Sequence, residues 1–178
     1  MTNYRRSRIA GATYFFTVNL ASRSQALLIK NVAALYTSFS HVQAHHPYTI
    51  EAIVVLPDHL HAIWTLPAND NDFAMRWRQI KSEFSRKFTP IELRSDSRRS
   101  KNERGIWQRR YWEHLIRDDT DFARHVDYIH INPVKHGLVT RVADWPHSSF
   151  HHFVKDGILP VDWAGGAVDT ALPHGERR

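Results

Sequence analysis

The chain contains no cysteine among its 178 residues, so neither a disulfide framework nor a thiolate metal site can form. It has no run of eighteen apolar residues, which argues against a transmembrane helix. The first residues lack the apolar segment of a secretory signal, and we therefore expect a cytoplasmic protein.

Positive charge is concentrated in one part of the sequence. The net charge is +6 and the sequence pI is about 9.8. Residues 76–110 contain twelve Lys or Arg and four acids, so this segment carries +8 and the rest of the chain about −2. Aromatic residues alternate with these cations, a pattern typical of nucleic-acid contacts because phosphates attract cations and unpaired bases stack on rings. A solvated loop on a basic protein is the other interpretation.

Hydrophobic periodicity predicts an α+β fold in a single domain of residues 1–169, followed by a flexible tail at 170–178. The predicted strands cover 12–20, 48–56, 59–66 and 106–117. The predicted helices cover 31–44, 72–88 and 121–136, and the polar stretch 90–105 is expected to be a mobile loop. The order β-α-β-β-α-β is that of the ferredoxin-like split unit, with helices on one face of an antiparallel sheet. Many functions use this fold, so it does not identify one.

Two histidines stand two residues apart on the predicted strand 59–66. Side chains alternate across a strand, so His59 and His61 point to one face while Leu60 points to the other, toward the helices. Two imidazoles a few ångströms apart can bind one metal ion. A surface pair on a sheet edge is the alternative, since the chain has thirteen histidines.

The predicted helix 121–136 has a polar face beside its apolar face. Its apolar positions form one narrow stripe: Phe122, Val126, Ile129 and Pro133. His125, Tyr128 and Asn132 lie about a quarter turn away, which suggests a polar target beside the core. Tyr128 could equally cap the core edge and form a local hydrogen bond. Since Asn132 precedes a proline, the helix either bends there and directs the amide toward a metal, or ends.

Several segments together resemble a known family. Residues 54–64 (VVLPDHLHAIW) resemble the His-hydrophobic-His strand of the HUH endonucleases. Residues 106–114 (IWQRRYWEH) and 127–137 (DYIHINPVKHG) resemble the REP-associated tyrosine transposases, relatives of bacterial single-strand insertion-sequence transposases. Shorter matches extend the resemblance over nearly the whole chain, at 4–6, 15–20, 76–81, 144–146 and 162–165.

The resemblance implies a role for each matching residue. His59 and His61 would bind a divalent metal, Mg²⁺ or Mn²⁺, with Asn132 as the third ligand and Tyr128 as the nucleophile. A tyrosine hydroxyl is a weak nucleophile at neutral pH, so it needs such activation. Eight residues are expected to contact DNA, because they lie in the basic segment or in the motifs that resemble the family: Arg5, Arg6, Arg76, Arg78, Lys81, Trp107, Arg109 and Arg110.

The resemblance implies metal-dependent cleavage and rejoining of single-stranded DNA. The reaction would occur at or near repetitive extragenic palindrome hairpins, through a 5′-phosphotyrosine intermediate. We expect single-stranded DNA and DNA hairpins as partners, no membrane partner, and a nucleoid-associated protein of the bacterial cytoplasm. A monomer is expected, with a dimer as the other arrangement.

Three other functions are compatible with parts of the sequence. A non-cleaving hairpin-binding protein of the same descent would keep the DNA-binding surface. A ferredoxin-like RNA-binding module would also carry basic and aromatic residues, but the strands lack the basic-Gly-aromatic run of an RRM. A metal-dependent hydrolase would act through a metal-bound water and would not need Tyr128. A covalent protein–DNA adduct that disappears in Tyr128→Phe separates the first function from these three.

Overall fold

The computed structural model describes residues 8–24, 26–89, 95–101 and 103–165. Its strands are β1 (Thr13–Asn19), β2 (Thr49–Val55), β3 (His59–Thr65) and β4 (Trp112–Leu115). Its helices are α1 (Leu27–Lys30), α2 (Val32–His45), α3 (Phe73–Arg86), α4 (Asp96–Ser100), α5 (Asp119–Lys135) and α6 (Phe150–Lys155), with a 3-10 turn at Val142–Asp144. None of the helices in the described ranges combines the length and hydropathy that crossing a bilayer requires.

The four strands form one antiparallel sheet in the order β2-β3-β1-β4. This order and the β-α-β-β-α-β succession confirm the predicted ferredoxin-like fold. The predicted hairpin is also confirmed, because β2 pairs with β3 and the amide of Leu56 bonds to the carbonyl of His59 at 2.9 Å. Strand β3 lies between β2 and β1, so its histidines are inside the sheet and not at an edge.

The alternation of side chains divides the core between the two faces of the sheet. On one face, Phe16, Leu60 and Trp64 pack beneath α2 and α3, and the rings of Trp64 and Trp77 stack at 4.1 Å. Leu60 therefore points toward these helices, as predicted. The period of two places the intervening residues of the same strands on the opposite face.

Helix α5 covers that opposite face. Val126 and Ile129 of α5 pack against Phe15, Val54 and Ile63 of the sheet. The expected layer of helices on one face thus holds for α2 and α3, whereas the tyrosine-bearing helix closes the other side. The sheet is therefore enclosed between two helical layers, and its histidines face α5.

Two predicted segments differ from the structure. Strand β4 covers only Trp112–Leu115 of the predicted 106–117. Before it, Trp107 forms an isolated bridge with Leu20, and its ring packs on Phe84 of α3, so side-chain packing replaces a continuous ladder. The predicted mobile loop 90–105 contains α4, which begins after Ser95. Residues 90–94 and 102, and the predicted tail 170–178, lie outside the described ranges.

The segment after α5 covers the edge of the sheet at β2. The amide of Val55 in β2 donates to the carbonyl of His147 at 2.9 Å, and the amide of Ser149 donates to the carbonyl of Ile53 in β2 at 2.8 Å. The indole of Trp145 also donates to the carbonyl of Val55 at 3.0 Å. These contacts satisfy edge groups of β2 that would otherwise be exposed.

Candidate active site

His59 and His61 lie side by side beneath α5. Their side chains share one face of β3, their ring centroids are 5.0 Å apart, and the residues are 1 % and 0 % exposed. This arrangement contradicts the alternative of two surface histidines on a sheet edge. Burying two imidazoles together requires partners for their nitrogens, because an unsatisfied buried polar atom is destabilising.

One nitrogen of each imidazole is held by the protein. Nδ1 of His61 is 2.8 Å from the hydroxyl of Thr17 on the neighbouring strand β1. Nδ1 of His59 is 2.7 Å from the carboxylate of Asp58, which also accepts a hydrogen bond from Arg23. Burial acts to raise the pKa of Asp58, but the hydrogen bonds from His59 and Arg23, with the charge of Arg23, lower it to about 2. Asp58 is therefore ionised and accepts the Nδ1 proton of His59.

The opposite nitrogen of His59 has the properties of a metal ligand. With the proton on Nδ1, Nε2 carries the lone pair. Nε2 is buried and makes no hydrogen bond with the residues that the structure describes. A carboxylate on Nδ1 is the usual support of a metal-binding histidine, because it fixes the tautomer and makes the imidazole more basic. The residues at this position thus fit a divalent cation.

The ring of Tyr128 packs directly against His61, the inner histidine of the pair. Its centroid is 5.2 Å from that of His61, and Tyr128 is 1 % exposed. Phe15 of β1 lies beside both rings, at 5.5 Å from His61 and 6.1 Å from Tyr128. The tyrosine hydroxyl accepts a hydrogen bond from Nζ of Lys135 at 3.0 Å. The polar face of α5 therefore meets the histidine face of the sheet.

Asn132 follows Tyr128 by one helical turn and is fully buried. Helix α5 continues through Pro133 to Lys135, and the amide of His136 bonds to the carbonyl of Asn132 at 3.0 Å. Of the two alternatives for this position, the one in which the helix ends at Asn132 is therefore wrong. The last turn also brings the ring of His136 to 5.1 Å from that of His59.

A second cluster lies between β4 and the start of α5. His114 and His125 flank the carboxylate of Asp121, at 2.8 and 3.3 Å, and potential ligand atoms of the three residues lie within 4.8 Å of one another. Burial acts to raise the pKa of Asp121, but hydrogen bonds from His114 and Arg117 lower it to about 2. The carboxylate of Asp121 thus links the start of α5 to His114 of β4, and the three side chains together could hold a metal ion.

Arg76, expected at the DNA surface, belongs instead to the interior. Arg76 is 1 % exposed, and its guanidinium donates to the carbonyls of His46, Asp72 and Pro47 and to the carboxylate of Asp70. A guanidinium enclosed in this way offers no surface to a phosphate. It joins α3 to the segment before β2, contrary to the sequence-based expectation.

The other residues expected to contact DNA fall into three groups. Arg78, Arg109 and Arg110 are exposed, although Arg109 also pairs with Glu103 at 2.9 Å. Lys81 donates to the carbonyl of Gln108 at 3.0 Å, and Trp107 is only 7 % exposed. Arg5 and Arg6 lie outside the described residues.

Sequence reasoning did not identify three residues of this site. Asp58 directly precedes His59, and that adjacency was a usable signal. Lys135 stands seven residues after Tyr128, which is two helical turns and places both on one face. Thr17 carried no local signal, because only strand pairing brings it opposite His61.

Comparison with known proteins gives full-length similarities. No family model matches the chain. An Escherichia coli (strain K12) protein described as a REP-associated tyrosine transposase is 46 % identical over 177 residues, which cover 99 % of this chain and 98 % of that protein. A Haemophilus influenzae protein given the same description provisionally is 47 % identical over 167 residues, covering 93 % of this chain and 94 % of the relative. A solved structure of a REP-associated tyrosine transposase bound to a REP hairpin has a TM-score of 0.85 and 46 % identity, and covers 100 % of this chain and 99 % of its own.

Proposed function

We propose, from the premise that this chain belongs to the REP-associated tyrosine transposases, that it cleaves and rejoins single-stranded DNA through a covalent bond to Tyr128. The substrate would be DNA at or near a repetitive extragenic palindrome hairpin. The observation that carries the proposal is the contact of Tyr128 with His61, at 5.2 Å between ring centroids, beside His59. A nucleophile and a metal-ligand pair must be neighbours if both act on one phosphate.

The metal would be held by His59 and His61, with Asn132 as the third ligand. Nδ1 of each histidine is turned to Asp58 or Thr17, so Nε2 is the nitrogen on the side away from those partners. Neutral imidazoles and an amide oxygen suit Mn²⁺ well and Mg²⁺ adequately. When bound, such a cation withdraws charge from the scissile phosphate and fixes the phosphorus for in-line attack.

The transfer would exchange one phosphate ester for another. The hydroxyl oxygen of Tyr128 bonds to phosphorus and releases its proton to solvent, while the bond to the 3′ oxygen breaks and that oxygen takes up a proton. The products are a 5′-phosphotyrosine and a free 3′-hydroxyl. Because the phosphotyrosine retains the ester bond, a 3′-hydroxyl can attack it and rejoin the strand, whereas hydrolysis by water could not be reversed in this way.

Recognition of a DNA hairpin is proposed from the related structure, which contains a REP hairpin. In this chain, the exposed cations Arg78, Arg109 and Arg110 would contact phosphates. Backbone contacts of this kind supply affinity and register, while sequence is read at base edges. The chain would thereby place a single strand beside the hairpin at Tyr128.

A labelled-hairpin experiment tests the proposal. Incubation with Mn²⁺ should give a nicked strand and a protein–DNA adduct, and mass spectrometry should locate the DNA on the peptide that contains Tyr128. Tyr128→Phe should abolish both products, with Tyr111→Phe as the matched control. His59→Ala should also abolish cleavage while hairpin binding persists. A DNA-linked peptide without residue 128 would overturn the mechanism, and binding without any adduct would favour a non-cleaving hairpin-binding protein.

A further inference from the structure

Lys135 places a cation on the proposed nucleophile. Its Nζ donates to the Tyr128 hydroxyl at 3.0 Å and lies 4.6 Å from the centroid of the same ring. We propose that Lys135 is a catalytic residue, which stabilises negative charge on the Tyr128 oxygen while the bond to phosphorus forms and again while it breaks. This inference rests on the function proposed above.

The position of Lys135 follows from the helix that carries both residues. Seven residues make two turns, so Lys135 and Tyr128 share one face of α5. Lys135 is the last residue of α5, where a lysine also interacts favourably with the helix dipole. That general interaction does not by itself position the side chain, since ordering a lysine costs rotamer freedom. Although Lys135 is exposed as a residue, its contacts with the hydroxyl and the ring place the ammonium group beside the Tyr128 oxygen.

The aromatic rings around Tyr128 keep water from its oxygen, so the positive charge of Lys135 matters for stabilising that oxygen. His61 and Phe15 lie at 5.2 and 6.1 Å from the tyrosine ring, and Tyr128 is almost fully buried. Negative charge on a buried oxygen is poorly solvated unless a donor is already in place. A donor fixed before the reaction stabilises developing charge without reorganisation at that moment. The ammonium of Lys135 occupies that position at the Tyr128 oxygen.

The two directions of strand transfer share this requirement. During cleavage, the Tyr128 oxygen has lost its proton before its bond to phosphorus is complete. During rejoining, the same oxygen leaves phosphorus and carries the same partial charge. Both directions pass through one transition state, so loss of Lys135 should slow both cleavage and rejoining. A residue that only admits the DNA strand would change binding instead.

Four variants separate the charge from the donor. Lys135→Met removes both, Lys135→Gln keeps a donor without charge, and Lys135→Arg keeps both. Lys155→Met on α6 is the matched control, because it removes one exposed cation far along the chain from Tyr128. Each protein is measured as the full chain with a labelled hairpin and Mn²⁺, under single turnover for adduct formation and, from isolated adduct, for rejoining.

The expected result is a loss of about 10- to 100-fold in both rates for Lys135→Met, the range for one charge-assisted hydrogen bond. Lys135→Gln should be intermediate, Lys135→Arg should recover most of the rate, and hairpin binding should change by less than about threefold. Wild-type rates in Lys135→Met would overturn the proposal, as would an Lys135→Arg variant no faster than Lys135→Met. Slowing of only one direction would overturn it too.

Failure of the Lys135 inference can be distinguished from failure of the proposed function. If Tyr128→Phe still forms an adduct, the nucleophile assignment is wrong irrespective of Lys135. If the adduct depends on Tyr128 but forms normally without Lys135, only this inference fails. Thermal unfolding of every variant is compared with that of the wild type, and Lys135→Gln and Lys135→Arg carry the test if Lys135→Met does not fold.

Discussion

The carboxylate of Asp58 accepts a hydrogen bond from Nδ1 of the next residue, His59, at 2.7 Å. Neighbouring residues on a strand point to opposite faces, so this contact depends on the turn that precedes β3. Arg23 binds the other carboxylate oxygen and keeps the group in place. The pair sets the tautomer of His59 and directs Nε2 away from Asp58.

The first prediction concerns metal affinity. Asp58→Ala should weaken Mn²⁺ binding about 10- to 100-fold, because a metal-binding histidine loses the partner that orients it. Asp58→Asn should cost less, since its amide oxygen can still accept from Nδ1. Titration calorimetry of the free protein with Mn²⁺ measures both. Asp144→Asn, at a surface pair with Arg141, is the control, and equal affinities in all four proteins would refute the support role of Asp58.

The second prediction concerns acid stability and His130. This histidine is fully buried, its ring lies 4.7 Å from that of Phe153, and Nδ1 makes no hydrogen bond with any described residue. Burial, with a smaller effect of nearby His151, lowers the pKa of His130 to about 4. In the unfolded chain its pKa is near the ordinary 6.5. Between these values the unfolded chain binds more protons, so stability falls as pH decreases.

The contribution of His130 should be fully present above pH 6.5 and decline toward pH 4. Between pH 7.5 and pH 5 the free energy of unfolding should fall by roughly 2 kcal/mol from this group, measured by urea denaturation. His130→Gln should be less stable at both values but should show a smaller fall, whereas His152→Gln, at an exposed position of α6, should keep the full fall. An undiminished fall in His130→Gln would assign the acid sensitivity to other groups.

The third prediction concerns the exposed cations. Replacing Arg78, Arg109 and Arg110 by Gln should weaken hairpin binding and reduce its dependence on salt. The slope of log binding constant against log salt concentration should flatten by about 0.7 for each lost phosphate contact on a single strand. Fluorescence anisotropy at several salt concentrations gives this slope. If the slope does not change, these arginines form a solvated surface and do not contact DNA.

Arg76→Met is the contrasting variant for that experiment. It also removes one arginine from α3, but it breaks hydrogen bonds to His46, Pro47 and Asp70. The free energy of unfolding should fall by about 3 kcal/mol, because the carbonyls and the carboxylate that the buried Arg76 binds lose their donor. The salt slope of the folded fraction should stay as in the wild type. A flatter salt slope for Arg76→Met would indicate that Arg76 does contact a DNA phosphate.

Local patterns were sufficient for most elements of the fold. The alternation in 48–56 and 59–66 predicted the β2–β3 hairpin, and the common face of His59 and His61 followed from the same period of two. The limits of β4 were not predictable, because aromatic residues such as Trp107 favour a strand locally but pack here on α3. Helix α4 was missed because its five polar residues have no apolar period.

The amino-acid sequence by itself determined the succession of elements along the chain, the α+β class and the family, since these depend on periodicity and on motifs that are contiguous in the chain. Only the tertiary structure decided which residues meet. It placed Tyr128 against His61, set Thr17 opposite His61, brought Lys135 to the tyrosine hydroxyl and buried Arg76. In a sequence, an exposed arginine cannot be told from a buried one. The burial of Arg76 depends on carbonyls about thirty residues away in the chain. Contacts of this kind arise from packing between distant segments, which no local pattern encodes.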